Sequence, residues 1–273
     1  MAGWKLPKKS QDRIVAGLKR YQPIVRKLAE RDISEADTVT VIKDMLTDIF
    51  GYDKYVELTS EHQVRGTFCD LAIQVDGKVR YLAEVKSAGT SLNNNHLRQV
   101  VNYGANKGVE WVLLTNGIVW KVYRISFNQP IDCHEVYCFD MGVVSSRSPD
   151  DLSKLFMLSR ESITTDALHE FHRQAQILNR FVIAELVLSE PVVSTVRREI
   201  RRLFDGMKVS DDEVRALLAE QVIKRDLLDG DAHKAAKTAV KRANSASARR
   251  QAAKASSPAK PSGLLAEGLT IAG

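Results

Sequence analysis

Cysteine is scarce in this chain: Cys69, Cys133 and Cys138 are the only three in 273 residues, at no framework spacing. That excludes a disulfide-built fold and points to a reducing, cytoplasmic interior. Long apolar runs are missing too; none approaches the ~20 residues a membrane helix needs, so no membrane partner is expected. The first residues, Met1-Ala2-Gly3-Trp4-Lys5, lack the apolar stretch of a signal peptide. No Gly-x-x-x-x-Gly-Lys-Ser/Thr loop occurs, so no nucleotide cofactor is expected. What is present is ordinary for a globular protein: 44% hydrophobic and 27% charged residues, enough to fill one good-sized domain or two small ones.

The net charge of +6 is unevenly placed. From Ala232 to Gly273 eight Lys and Arg meet one acid, Glu267, so this stretch carries +7 and the other 231 residues carry −1. Basicity is a property of the tail, not of the body. Two readings stand for it: a solvated disordered extension, or a strand of cations suited to a phosphate backbone.

Apolar spacing divides the rest. Residues 11–31 (Ile14, Leu18, Tyr21, Val25, Leu28) predict a helix that Pro23 kinks or interrupts. Ser34-Glu35-Ala36-Asp37 fits a capping box opening a second helix, with Val39, Ile42, Met45, Leu46 and Ile49 on one stripe and a stop at Gly51. Residues 56–86 and 110–126 alternate as strands, with turns at Arg65-Gly66, Asp76-Gly77 and Asn116-Gly117. Asn94 to about Asn106 reads as a crossover helix, and Glu135–Phe139 as a further short strand. Helices follow: one from Ser148-Pro149, a long one over Thr165–Leu188, one opened by Pro191, and one behind the capping box Ser210-Asp211-Asp212-Glu213. After Gly230 the Ala/Lys/Ser/Pro composition predicts disorder. The expected organisation is an N-terminal helix (1–32), a mixed α/β domain (33–140), a helical region (141–230) and a disordered basic tail (231–273).

The informative segment is the hairpin Phe68-Cys69-Asp70-Leu71-Ala72-Ile73-Gln74, a bend, then Lys78 to Lys86. A two-residue Asp76-Gly77 loop mixes apolar and charged residues on each face. A three-residue loop, Val75-Asp76-Gly77 with Gly77 at positive φ, sorts them: Cys69, Leu71, Ile73, Val79, Tyr81, Ala83 and Val85 share one face, while Asp70, Glu84 and Lys86 share the other. The patterning selects the odd-length loop. It brings two carboxylates and an ammonium together at one sheet end. Adjacent carboxylates repel, a divalent cation removes that cost, and hard oxygen ligands suit Mg²⁺. A lysine beside the cation can hold a water aimed at phosphorus. This is the chemistry of phosphodiester hydrolysis.

With these residues in that order, the segment from about Ser34 to Ile125 resembles the PD-(D/E)XK nuclease superfamily. Within it, the chain is similar to the N-terminal nuclease domain of type I restriction enzyme R subunits. The marks are Ser34-Glu35-Ala36-Asp37-Thr38, Phe50-Gly51-Tyr52-Asp53, Asp70 with Glu84-Val85-Lys86, Gln99-Val100-Val101-Asn102-Tyr103, and Val112-Leu113-Leu114-Thr115-Asn116-Gly117. The resemblance implies a restriction-endonuclease-like α/β core of one helix, three antiparallel strands, a helix and further strands. It also implies Mg²⁺, with Mn²⁺ as a substitute, held by Asp70, Glu84 and the Val85 carbonyl. Lys86 would position the attacking water, and Gln99 and Tyr103, four apart, would support it from one helix face. Glu35 matches the helix carboxylate of that family and equally suits a helix start; Glu61 is a further acid in range. The usual proline before the aspartate is replaced by Cys69, and the ATP-driven motor of a full R subunit has no counterpart in this sequence.

The expected function is therefore metal-dependent, endonucleolytic hydrolysis of DNA, by a homo-oligomer or a restriction-system subunit. The alternative is a catalytically silent nuclease fold used for DNA binding or assembly. Arg197, Arg198, Arg201 and Arg202 form a basic helical stripe that either meets DNA or is simply solvated. His169 and His172 read as surface histidines, and Cys69 and Cys138 as small core residues.

Overall fold

The computed structural model describes residues 6–31, 33–64 and 67–255; for 29, 61–64, 67, 68 and 251–255 it describes the backbone alone. The chain divides into two compact units, residues 1–173 and 174–273. No helix among the described residues is long and apolar enough to cross a membrane.

The first unit is built on a six-stranded sheet in sequential order: β1 (Leu58–Val64), β2 (Thr67–Val75), β3 (Lys78–Val85), β4 (Trp111–Thr115), β5 (Val119–Ser126) and β6 (Asp132–Asp140). All neighbours are antiparallel except β3 and β4, which run parallel because the helix α3 (Asn94–Lys107) carries the chain across between them. α3 begins at Asn93, whose side chain accepts from the Asn95 and His96 amides, and ends at Gly108 in the left-handed region. It closes one face of the sheet, where Val100 and Tyr103 bury against Ala72, Leu82, Val112 and Leu114. The other face carries the larger core. There Leu71, Ile73, Tyr81, Ala83, Val85 and Leu113 pack with residues of α1 (Lys8–Glu30), α2 (Glu35–Asp48) and α4 (Pro149–Met157). This is the mixed α/β class expected, with a flanked sheet and a helical C-terminal region.

Several local expectations shift. α1 runs unbroken through Pro23, whose ring lies on the exposed side of the helix. The segment expected as one helix over Thr165–Leu188 is two, α6 (Ala167–Ile177) and α7 (Arg180–Val187), because Asn179 starts afresh by accepting from the Phe181 and Val182 amides. The boundary expected after residue 140 falls at 173, since Leu152, Leu155, Phe156, Leu168 and Phe171 belong to the main core. α1 belongs to the same core and is not a separate element. The turn expected at Arg65-Gly66 lies outside the described residues.

The hairpin between β2 and β3 corrects the loop length and the register and keeps the alternation of faces. Val75 pairs with Lys78 across a two-residue Asp76-Gly77 turn in which both residues have positive φ, 53° and 72°. The odd residue lies further along: Gln74 pairs with Val79 but Ile73 pairs with Tyr81, so Arg80 bulges out of β3. Beyond the bulge Leu71 faces Ala83, two residues along from the Tyr81 that a three-residue loop would set opposite it, so the alternation of faces survives. Val79, on the turn side of the bulge, consequently packs with the α3 face, and Cys69 joins it there.

In the second unit α8 (Glu190–Leu203) and α9 (Asp211–Leu217) precede a π-helical turn, Leu218–Val222. The expected capping box at Ser210 is present, with Glu213 returning a bond to the Ser210 amide. The tail expected to be disordered is instead helical over Gly230–Ala255, as α10. Ala, Lys and Arg are strong helix formers, and this outweighs the polar composition. Residues 256–273 lie outside the described residues.

Candidate active site

Asp70 and Glu84 sit at the end of the hairpin remote from its turn. Continuing the Leu71–Ala83 pairing by one step sets them opposite each other. Asp70 Oδ2 accepts the Val85 amide at 2.6 Å, so the aspartate is tied across the pair to the residue that follows Glu84. Glu84 alternates with Ala83 and Val85 of the main core and therefore takes the Leu82 side. Its carboxylate has no exposure at all. Lys86 lies two residues on, its amide donating to Thr115 O at 2.9 Å, which extends the β3–β4 pairing to the lysine itself. The Lys86 ammonium stands 2.7 Å from Glu84 Oε1 and 3.3 Å from Glu35 Oε2.

Glu35 is thus part of the cluster. It is the first residue of α2, and the Ser34 side chain that starts this helix accepts from the Asp37 amide. The helix start leaves Glu35 free to reach Lys86. The side chain of Glu61 lies outside the described residues.

Burial dominates the electrostatics. It pushes the Glu84 carboxyl up to about 7, against the Lys86 hydrogen bond, with Asp70 and Glu35 adding repulsion. Burial pulls the Lys86 ammonium the other way, but the hydrogen bond to Glu84 and the charges of Glu84, Glu35 and Asp70 outweigh it, so its pKa is raised. Apart from the ammonium beside Oε1, neither Glu84 oxygen receives a well-aligned hydrogen bond among the described residues. A buried carboxylate facing a second one, with acceptor capacity to spare, fits a divalent cation, and all the donor atoms are hard oxygens. Among the described residues no group of three or more His, Cys, Asp or Glu side chains is gathered for a metal, so a cation here would depend on two carboxylates and a main-chain carbonyl.

The other expected residues distribute unevenly. Tyr103 is buried on the α3 face with Cys69 and Val100, whereas Gln99, four residues earlier, is exposed. The pair lies on one helix but at different depths. The cysteine before Asp70 is a core residue, its thiol pushed up to about 12 by burial. Cys138 corrects the expectation for it: it is exposed, because it alternates with buried Tyr137 and Phe139 on the last strand of the sheet. His172 is not a surface residue either. It is buried, stacks on His134 with centroids 5.1 Å apart, and burial pulls its pKa down to about 4. His169 accepts from Trp111 Nε1 at 3.3 Å.

Within the second unit, the arginines of α8 have local partners. Arg197 pairs with Asp211 at 3.1 Å, and Arg201 donates to Val209 O at 2.7 Å, so these two hold the α8–α9 loop. Arg202 pairs with Glu199, and Arg198 donates to Thr195.

Sequence reasoning missed Asn116. It had read as a turn residue beside Gly117, yet its buried side chain also holds the segment leaving Lys86. Its amide nitrogen donates to Ala88 O at 3.3 Å and Thr90 O at 3.0 Å, while its oxygen accepts from the Ile118 and Val119 amides. A buried asparagine one residue past a core strand was the available signal.

Residues 41–135 match the family model of the type I restriction enzyme R protein N terminus. The matched stretch runs from α2 into β6 and contains Asp70, Glu84, Lys86, Gln99 and Tyr103; Glu35 lies just before it. No curated protein and no solved structure matches the chain.

Proposed function

We propose that the cluster of Asp70, Glu84 and Lys86 is the hydrolytic centre of a metal-dependent DNA nuclease, an endonuclease acting in a restriction system. The observation that carries this reading is the fully buried Glu84 carboxylate set opposite Asp70 and touched by one ammonium. The likeness of residues 41–135 to a restriction-enzyme domain supports DNA as the substrate.

Asp70, Glu84 and the Val85 carbonyl would hold Mg²⁺ or Mn²⁺, which when bound supplies a Lewis acid for the phosphate and a more acidic water. The Val85 amide fixes the Asp70 carboxylate by donating to its Oδ2. Lys86 holds a water by donation and offsets charge developing on phosphorus, its ammonium kept protonated by Glu84 and Glu35. Tyr103 supports β2 by packing, and exposed Gln99 is open to a substrate.

Purified protein incubated with supercoiled circular and linear duplex DNA, with and without Mg²⁺, tests the reading. Nicking of the circle that requires Mg²⁺ and disappears in Asp70→Asn is the expected result. Failure to cut any DNA form overturns it, and DNA binding without cleavage would leave a binding or assembly module.

A further inference from the structure

The helix α10 separates its residues by type around its circumference. Ala236 and Val240 are buried against Val182 and Phe181 of α7. At about 100° per residue, Lys234, Lys237, Lys241, Arg242 and Arg249 fall in one arc of about 140°, centred opposite that docked edge. All five are exposed, and the stripe they form is about 22 Å long at about 1.5 Å per residue. Of the five, only Lys234 is ion-paired among the described residues, to Asp231 at 3.0 Å. Small residues fill the gaps, including Thr238 and Ser245, whose hydroxyls turn back on the helix carbonyls. A cationic stripe in which four of five charges have no acid against them among the described residues, on a helix fixed by its opposite edge, is complementary to a polyanion.

The rest of the molecule sharpens the argument. Outside residues 232–273 the formal charge is −1, and the proposed hydrolytic centre presents Asp70, Glu84 and Glu35. Such a surface gives a phosphate backbone no long-range attraction. Of the arginines of α8, the other basic run, Arg197, Arg201 and Arg202 are committed to local carboxylates and a carbonyl, and Arg198 donates to the Thr195 hydroxyl.

We infer that the Lys234–Arg249 face of α10 is a sequence-independent binding surface for the phosphate backbone of duplex DNA. The choice of DNA as the polyanion rests on the nuclease reading; the surface itself does not. A duplex carries one charge per ~1.7 Å of its axis, so a stripe of this length meets roughly a dozen phosphates. Binding is electrostatic and weakens steeply with salt.

The test is fluorescence anisotropy of a labelled 30-base-pair duplex titrated with the full chain in EDTA, across a salt series. In EDTA, binding is read without cleavage, so the outcome does not depend on whether the hydrolytic centre is correctly assigned. The double variant K241Q/R249Q lowers affinity on the order of tenfold at 0.1 M salt and flattens the log–log salt slope by roughly two. An equal-charge control, K208Q/K224Q, changes both far less. Circular dichroism confirms that α10 persists, glutamine being a good helix former. Equal losses in the two double variants, an unchanged slope in the first, or binding to single-stranded RNA without binding to the duplex would each overturn the inference.

Discussion

The Lys86 ammonium rests 2.7 Å from a Glu84 carboxylate that has no exposure to solvent, two residues away on the same side of one strand. Neither group is at ease alone: the acid is desolvated, and the amine is held by more negative charge than it can neutralise. The cost of keeping this pair buried is measurable.

The Glu84 carboxyl has its folded pKa raised from 4.5 to about 7, so folding favours the protonated form. Its contribution to stability is fully present below about pH 4.5 and is lost as the pH rises to about 7. The loss is about 3 kcal/mol by linkage. In urea unfolding with EDTA present, the gap between Glu84→Gln and wild type should move by that order in favour of the variant between pH 4.5 and 8. A gap that does not change with pH would show that Glu84 titrates in the folded protein as it does in the unfolded chain.

Divalent cation should reverse that penalty. Mg²⁺ at a hundred times its Kd should stabilise the wild type by about 2.7 kcal/mol, seen as a rise in Tm that EDTA removes. Because the ligand must be ionised, the Mg²⁺ affinity should increase from pH 5.5 to 7 and then level off. Asp70→Asn and Glu84→Gln should show no such rise; a rise as large as that of wild type in either would place the cation elsewhere.

Lys86→Gln removes the ammonium but keeps a donor of similar reach. Cleavage should fall by at least about a hundredfold while the Mg²⁺-dependent rise in Tm survives, since the carboxylates remain. Loss of both together would mark Lys86 as a support of the metal ligands only.

Asn116→Ala should unfasten the segment after Lys86. Four hydrogen bonds end on this side chain, and leaving their buried partners unsatisfied should cost about 2–3 kcal/mol. The Mg²⁺-dependent cleavage rate should fall although no atom of Asn116 has been placed on the substrate. Thermal melts together with single-turnover rates check both effects.

Two glycines with similar positive φ should respond differently to alanine. At Gly77 (72°) an added Cβ meets nothing within 4 Å, so Gly77→Ala should cost only the left-handed strain, about 1–2 kcal/mol. At Gly51 (83°) the Cβ would lie 2.5 Å from the central carbon of the Arg13 guanidinium, whose N–H groups donate to the Ile49 and Phe50 carbonyls and to Glu161. Gly51→Ala should therefore cost more than Gly77→Ala, and chemical denaturation of the two variants gives the comparison.

Where the sequence was legible, neighbouring residues alternated between the two cores on either side of the sheet. Leu71, Ile73, Tyr81, Ala83 and Val85 announced one face of a sheet, and that pattern put Asp70 and Glu84 on a shared side, although not directly opposite each other. It could not say where the odd residue sat, because a three-residue loop and a two-residue turn with a bulge at Arg80 leave the same alternation behind. Glu35 was ambiguous for a similar reason: an acid at a helix start is favoured by the helix itself, and only its 3.3 Å approach to Lys86 distinguishes the two roles. Asn116, His172 and the helicity of α10 were illegible because each depends on partners distant in the chain or on propensity outweighing composition.

The bulged arginine carries a rule about which changes of length the hairpin can absorb. Arg80 lies between the tip and the acids and is the one residue there that β2 does not match. Two residues added at the tip would lengthen the ribbon and leave Asp70 facing Glu84. Deleting Arg80 alone would close the bulge and leave Ile73 facing Tyr81 and Leu71 facing Ala83, so Glu84 and Lys86 would keep their side of the sheet.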